Sequence, residues 1–306
     1  MVSRDGWTSE HVPDMSGRVA VVTGGNSGIG RAVATVLAQR GAATILACRD
    51  VSRGRAAADA IQHAGALGPV DVLSIDLGSL ASIRQAAARL QATYDRLDVL
   101  INNAGVMLVA YGTTQDGFER HLGINHLGHF AWTGLLYDRL RGTDGSRIVT
   151  VSSLGHARHG IDFDNLMFES GGYTPARAYA RAKLANLLFT QELQRRLSDT
   201  GSLAVAAHPG GAPTSLGRRL EERWLWRSAR PLFERLSQSV EAAARPILRA
   251  ATDPAAVGGA FYGPGGRLGF RGPPRVVKLH PCAVDRTAAS RLWEVSERLT
   301  GVQFPA

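Results

Sequence analysis

The stretch that decides the fold is RVAVVTGGNSGIGRAVATVLAQRG, residues 18–41. Val19 to Val22 form a short apolar, β-branched run that stops at Gly24 and Gly25, the pattern of a buried strand. Ile29, Val33, Val36 and Leu37 then recur at helical spacing, and Gly41 stops the helix. A strand that turns through glycines straight into a helix is the opening unit of an α/β sheet.

The alternation continues outward from this unit. ATILAC (43–48) reads as a second strand, VSRGRAAADAIQHAG (51–65) as a helix and PVDVLSID (69–76) as a third strand. SLASIRQAAARLQATY (79–94) follows as a helix with Ser79 as its N-cap. LDVLINNAG (97–105) is a fourth strand, and a long helical stretch runs from about Gly117 to Leu140. SRIVTVSS (146–153) is a fifth strand, a helix around Tyr179 comes next, and LAVAAHPG (203–210) is a sixth strand. Strands alternating with helices imply right-handed crossovers and a parallel sheet covered on both faces. The expectation is a Rossmann-type doubly wound α/β fold, one domain over residues 1–306, with an N-terminal extension over about 1–16. Residues 210–253 differ in composition: they hold Trp224, Trp226, Phe233 and many Arg, with Pro231 among them. They are expected to form a helical lid over the carboxyl edge of the sheet.

Composition narrows the function classes. Hydrophobic residues make up 44% and charged residues 20%, which suits a globular chain with a sizeable core. There is no apolar run of about eighteen residues, so no membrane span is expected. MVSRDGWTSEHVPDM carries no apolar signal-peptide core, and Cys48 and Cys282 are too few for a disulfide framework or a four-ligand zinc site. A cytoplasmic protein is expected. The net charge of +9 comes from Arg spread along the whole chain without a nucleic-acid-binding signature, so a solvated basic surface is expected rather than a nucleic-acid partner.

The loop TGGNSGIG (23–30) lies where pyrophosphate binds in such folds, at the end of the first strand and the start of the first helix. Gly24, Asn26, Ser27, Gly28, Ile29 and Gly30 are candidate cofactor contacts, although the spacing departs from G-x-G-x-x-G. Asp76 and Leu77 follow the third strand, where an adenine edge would lie. Asn103, Ala104 and Gly105 follow the fourth, where small residues let a ribose lie flat. The second strand ends in ACRD. An acidic residue at this edge binds the ribose 2′-hydroxyl of NAD, whereas an Arg accommodates the 2′-phosphate of NADP. Arg49 therefore points to NADP(H) over NAD(H), with Asp50 as the competing residue.

Taken together, TGGNSGIG (23–30), Asp76-Leu77, NNAG (102–105), Asn125, Ser152-Ser153, Tyr179-x3-Lys183 and HPGGAPT (208–214) resemble the short-chain dehydrogenases/reductases, in the family's order. HLGINHLGHF and RAKLANLLFTQELQRRL point to the retinol-dehydrogenase-like and WW-domain-oxidoreductase-like branch. The resemblance implies a catalytic tetrad of Asn125, Ser153, Tyr179 and Lys183, with Ser152 lining the cofactor site. It also implies nicotinamide contacts from Pro209, Gly210 and Thr214, and a homodimer or homotetramer.

The chain has 33 Arg and 2 Lys, so a Lys four residues after a Tyr calls for a reason. Residues i and i+4 share a helix face. A free phenol has a pKa of about 10, too high for an efficient general acid near neutral pH. An ammonium about 4 Å away at an effective dielectric near 20 is worth about 4 kcal/mol, enough to lower it by two to three units. Lys is also compact enough to sit beneath a ribose and to relay a proton. Ser153 would polarise a substrate carbonyl, and Asn125 would hold a water linking Lys183 to solvent.

His121, His126 and His129 do not have zinc-site spacing and are expected to pack or cap. His208 is expected to pack at the sheet edge, while His156 and Trp224 are candidate substrate contacts with Ser153 and Tyr179. Residues 216–236 read either as the lid or as a membrane-surface helix. The function expected is an NADP(H)-dependent oxidoreductase that interconverts a carbonyl and an alcohol on a bulky hydrophobic small molecule. Reduction of an imine or an activated C=C bond, or a low-turnover NADP(H) sensor, are the alternatives.

Overall fold

The computed structural model describes residues 6–158, 160–211, 238–266 and 268–305. The predicted strands and helices form at or close to their predicted places. β1 (Val19–Thr23), α1 (Gly28–Gln39), β2 (Ala43–Cys48), α2 (Val51–His63), β3 (Val70–Ser74), α3 (Leu80–Thr93) and β4 (Val99–Asn102) come first. Three short helices follow, α4 (Arg120–Leu122), α5 (Gly128–Leu135) and α6 (Tyr137–Arg141), with a π turn at Gly123–Leu127 between α4 and α5. Then come β5 (Arg147–Val151), α7 (Pro175–Arg196), β6 (Leu203–Ala207), α8 (Val240–Thr252), β7 (Phe261–Pro264), β8 (Pro274–Val276) and α9 (Arg286–Thr300).

The strands make one sheet in the order β3-β2-β1-β4-β5-β6-β7-β8. β1 to β7 are parallel, and β8 returns antiparallel on β7. Both faces are buried, as the unbroken apolar strands require. Along β1 the side chains alternate: Ala20 and Val22 join the core beneath α1 and α8, while Val19 and Val21 join the core of the opposite face. β1 and β4 are neighbours in the sheet although two strands separate them in sequence, so the winding reverses between them. A crevice opens above the carboxyl ends of strands at such a point, and ligands bind there in open α/β sheets.

One expectation changes. Residues 240–252 are not part of a lid: α8 packs against α1 and β5 to β7, with Ala244, Ile247, Leu248 and Ala251 buried on the sheet. Its apolar positions have the helical spacing of a sheet-covering helix, and Pro246 is accommodated in its second turn. The remaining lid segment, with Thr214 and Trp224, lies outside the described residues. The described part of the N-terminal extension packs against the fold, with Trp7, Val12 and Met15 buried in the core beneath α1.

Candidate active site

The crevice is built by two turns that grip each other. Thr23 ends β1, and its Oγ1 accepts the main-chain N–H groups of Asn103 at 2.9 Å and Ala104 at 3.0 Å. Asn103 Nδ2 donates back to the Thr23 carbonyl at 2.9 Å. A Cβ on Gly30 would collide with Gly24 O and Asn103 Nδ2, so glycine is required where α1 starts against these turns. Ser27, the N-cap of α1, makes no side-chain capping bond, whereas Asp50, Ser79, Thr174, Ser239 and Asp285 each cap their helix through the side chain. A helix N-terminus left uncapped by its own chain, approached through a glycine turn, fits a pyrophosphate.

The end of β2 places Arg49 and Asp50 differently. Asp50 is the N-cap of α2 and accepts the Arg53 N–H at 3.0 Å, while Arg49 is exposed at the strand end. After β3, Asp76 Oδ1 accepts the Gly78 N–H at 2.9 Å and Leu77 is buried, so this pair forms a tight turn at the crevice rim.

Asn125 sits in the π turn, fully buried. Its Oδ1 accepts the Val106 N–H at 2.7 Å and its Nδ2 donates to Val106 O at 3.0 Å. The side chain is thus committed to the backbone just beyond NNAG rather than to a solvent chain. Gly105 permits the close approach, since a Cβ there would lie 2.8 Å from Asn125 Oδ1.

Thr174 caps α7 by accepting the Arg177 N–H, and Pro175 starts the helix. One turn apart on α7 stand Tyr179 and Lys183. Ser153, just past β5, stands near enough to the Tyr179 phenol to pull its pKa down, and its Oγ accepts the Gly155 N–H at 3.2 Å. Lys183 is buried and its Nζ donates to Val151 O at 2.8 Å. Ser152 does not line the cofactor crevice as expected: it is buried, and its hydroxyl donates to the Lys183 carbonyl at 2.8 Å, pinning α7 to the end of β5.

The electrostatics differ from the expectation that Lys183 makes Tyr179 acidic. The Lys183 ammonium is 5.8 Å from the centre of the Tyr179 ring. Burial raises the phenol above its ordinary value, and Ser153 pulls it only part of the way back. Burial also lowers Lys183, to about 8. Desolvation of the charged form is the largest cause for each.

Two contributors escape the sequence reading. Thr23 is signalled only by its place before Gly24. Glu119, buried, accepts the N–H groups of His121 and Leu122 and bonds His121 Nδ1, each at 2.9 Å. It holds His121 edge-on to Tyr179, ring centres 6.2 Å apart. His126 bonds Ser296 Oγ at 2.9 Å. His156 turns its Nδ1 to Ser153 O at 2.7 Å and packs on Phe261. His208 packs on Phe261 at the end of β6, as expected, and accepts the Gly210 N–H at 3.2 Å. Pro209 and Gly210 continue the loop beyond it, where Pro209 O accepts Gln238 Nε2 at 2.8 Å.

Comparison with known proteins agrees with this arrangement. The family model described as short chain dehydrogenase matches residues 18–224. Human retinol dehydrogenase 13 is 42% identical over 295 residues, covering 95% of this chain and 86% of that one. Mouse retinol dehydrogenase 11 is 48% identical over 213 residues, covering 69% of this chain and 67% of that one. A crystal structure of an uncharacterized protein from Mycobacterium paratuberculosis superposes with a TM-score of 0.81 at 41% identity, over 98% of this chain and 100% of that one. Another, from Beutenbergia cavernae, provisionally named an NAD(P) dependent gluconate 5-dehydrogenase and holding NADP at low occupancy, reaches 0.66 at 27% identity over 81% and 95%. With the glycine turn, the Ser-Tyr-Lys cluster and these similarities in place, the chain belongs to the short-chain dehydrogenase family of oxidoreductases, in its retinol-dehydrogenase-like branch.

Proposed function

We propose that the protein is an NADP(H)-dependent oxidoreductase that interconverts a carbonyl and an alcohol on a bulky, apolar small molecule. The observation that carries this reading is the grouping of Tyr179 with a buried Lys183 one turn on, its ammonium 5.8 Å from the phenol ring centre, and Ser153 near enough to act on the phenol. The glycine loop from Gly24 to Gly30, Arg49, Asp76, Leu77, Asn103 to Gly105 and Lys183 would hold the dinucleotide. When bound, its nicotinamide supplies or accepts the hydride.

The chain's own groups handle the proton. In the reducing direction Tyr179 Oη gives its proton to the substrate oxygen, and Ser153 Oγ donates a hydrogen bond to the same oxygen. A phenol raised by burial is fully protonated near neutral pH, which suits this direction. Lys183 spends one N–H on Val151 O and has two more, oriented by that bond, for a ribose and for the phenol. Asn125 holds the turn after β4 in place through Val106. Arg49 supports NADP(H) because Asp50 is occupied as a helix cap. The relatives' name, retinol dehydrogenase, supports a large apolar alcohol as substrate.

Tyr179→Phe is expected to abolish turnover of alcohols and carbonyls while NADPH still binds, read by NADPH fluorescence titration. Near-normal turnover in that variant would remove the proposed role. Arg49→Ser is expected to weaken NADPH binding about tenfold or more with little change for NADH. A wild-type preference for NADH would refute the NADP(H) assignment.

A further inference from the structure

His129 occupies a place that neither the hydride nor the proton step uses, yet it touches both halves of the crevice. It lies on α5, one residue beyond the start of the helix, with its ring buried. Its Nδ1 lies 3.0 Å from the main-chain oxygen of Asn125, and its Nε2 lies 2.8 Å from Thr23 Oγ1. A carbonyl oxygen can only accept, so Nδ1 carries the proton. In the neutral ring Nε2 is then an acceptor, and of the two acceptors in reach of the Thr23 hydroxyl it is the nearer, at 2.8 Å against 3.2 Å for Ile101 O, so the hydroxyl proton goes to it. Thr23 Oγ1 in turn accepts from Asn103 N and Ala104 N. The donations run one way, from the NNAG turn through Thr23 and His129 to the π turn.

The ring environment agrees with a neutral imidazole. Burial lowers His129 to about 4, with the Asn125 carbonyl opposing and the Lys183 charge adding to the effect. His126, the other titratable neighbour, is itself lowered to about 3 by burial.

We propose that His129 is a positioning residue: as the neutral Nδ1–H tautomer, it locks the turn that receives the dinucleotide to the turn that carries Asn125. This inference rests on the oxidoreductase reading above. The π turn makes such a lock useful. Its main chain is wound one residue wider than an α-helix, with the Gly128 N–H reaching back to Gly123 O, and the His129 side chain gives the Asn125 carbonyl a bond besides the main chain's own. Moving either turn stretches a chain of hydrogen bonds that has no solvent to replace it.

Two substitutions divide the lock. In His129→Asn the amide nitrogen replaces Nδ1 and keeps the bond to Asn125 O, but it does not reach Thr23. In His129→Gln the amide oxygen replaces Nε2 and keeps the Thr23 bond, but the Asn125 carbonyl loses the ring N–H. The first variant is expected to raise the NADPH Kd about tenfold with kcat within about threefold of wild type. The second is expected to lower kcat about tenfold or more with Kd within about threefold. Parallel changes of Kd and kcat in both variants, or no change in either, overturn the proposal. Should neither variant fold, long-range ¹⁵N–¹H correlation spectra of the wild-type holoprotein at pH 7 decide. A neutral Nδ1–H tautomer at His129 upholds the proposal, and an Nε2–H tautomer or an imidazolium overturns it. A wild-type protein that binds no NADPH or turns over no carbonyl instead fails the underlying reading, and the tautomer remains a separate measurement.

Discussion

At the scale of single residues, Lys183 and Tyr179 are moved in opposite directions by one cause. Burial disfavours the charged form of each, so the ammonium becomes easier to deprotonate and the phenol harder. Carbonyl reduction needs both protonated. Below about pH 8 both are, and above it Lys183 is the first to lose its proton. The rate of reduction, as kcat/KM, is therefore expected to be flat from pH 6 to 7 and to fall as pH rises through about 8. A profile that stays level to pH 10, or that already falls below pH 7, would contradict this assignment. The candidate site residues of Tyr179-x3-Lys183 and TGGNSGIG could be picked from the sequence, because both are continuous patterns. The sign of the Tyr179 shift was not. It depends on how far the phenol is removed from water, and spacing along a helix carries no information on that. Ser152 and Ser153 are adjacent in sequence, and only the packing of α7 on β5 separates the hydroxyl that acts on the phenol from the one that bonds the Lys183 carbonyl.

At the scale of elements, α7 is the helix to which the active site is tied. It is buried along most of its length, and α9 lies along it. The contact is aromatic: Phe189 stacks on Trp293 at 5.8 Å, Phe130 meets Trp293 edge-on at 5.1 Å, and Phe304 closes on Trp293 at 4.4 Å. Arg196 lies over the Trp293 ring at 4.3 Å. Trp293→Ala is expected to cost about 3 to 5 kcal/mol of unfolding free energy. Urea titration checks this, and a loss under 1 kcal/mol would show that α9 is not needed to hold α7. β1 to β6 were legible because each is a run of β-branched or small apolar residues ending in a turn signal. β7 and β8 were not: FYGP has a Gly and a Pro in four residues, and PRV is three residues long. Both are strands only because β6 and α8 present a surface for them to join. The π turn was equally hidden, since the GINHL residues suit an ordinary helix and the bonds that Asn125 and His129 make from it, to Val106 and Thr23, join residues far apart in sequence.

At the scale of the whole molecule, buried imidazoles tie stability to pH. Burial lowers His126 to about 3 and His129 and His208 to about 4, whereas an unfolded chain titrates them near 6.5. Between those values the unfolded state binds protons that the folded state refuses, so stability falls as pH drops from about 6.5 toward 4. The loss is expected to reach several kcal/mol, in a window above that in which ordinary carboxylates titrate. Denaturation midpoints measured at pH 7, 6, 5 and 4 check it, and a constant midpoint from pH 7 to 5 would contradict it.

The sheet also has two free ends, and each is built so that another strand finds little purchase. On one side β8 offers three residues, with Pro274 lacking an amide hydrogen and Arg275 exposed. On the other, β3 carries exposed Asp71 on one face and exposed Ser74 at its end on the other. A charge or an imino acid at a rim interrupts the ladder through which sheets of separate molecules zip together. The fold thus gains a wide parallel platform for its catalytic groups without offering a template for edge-to-edge aggregation.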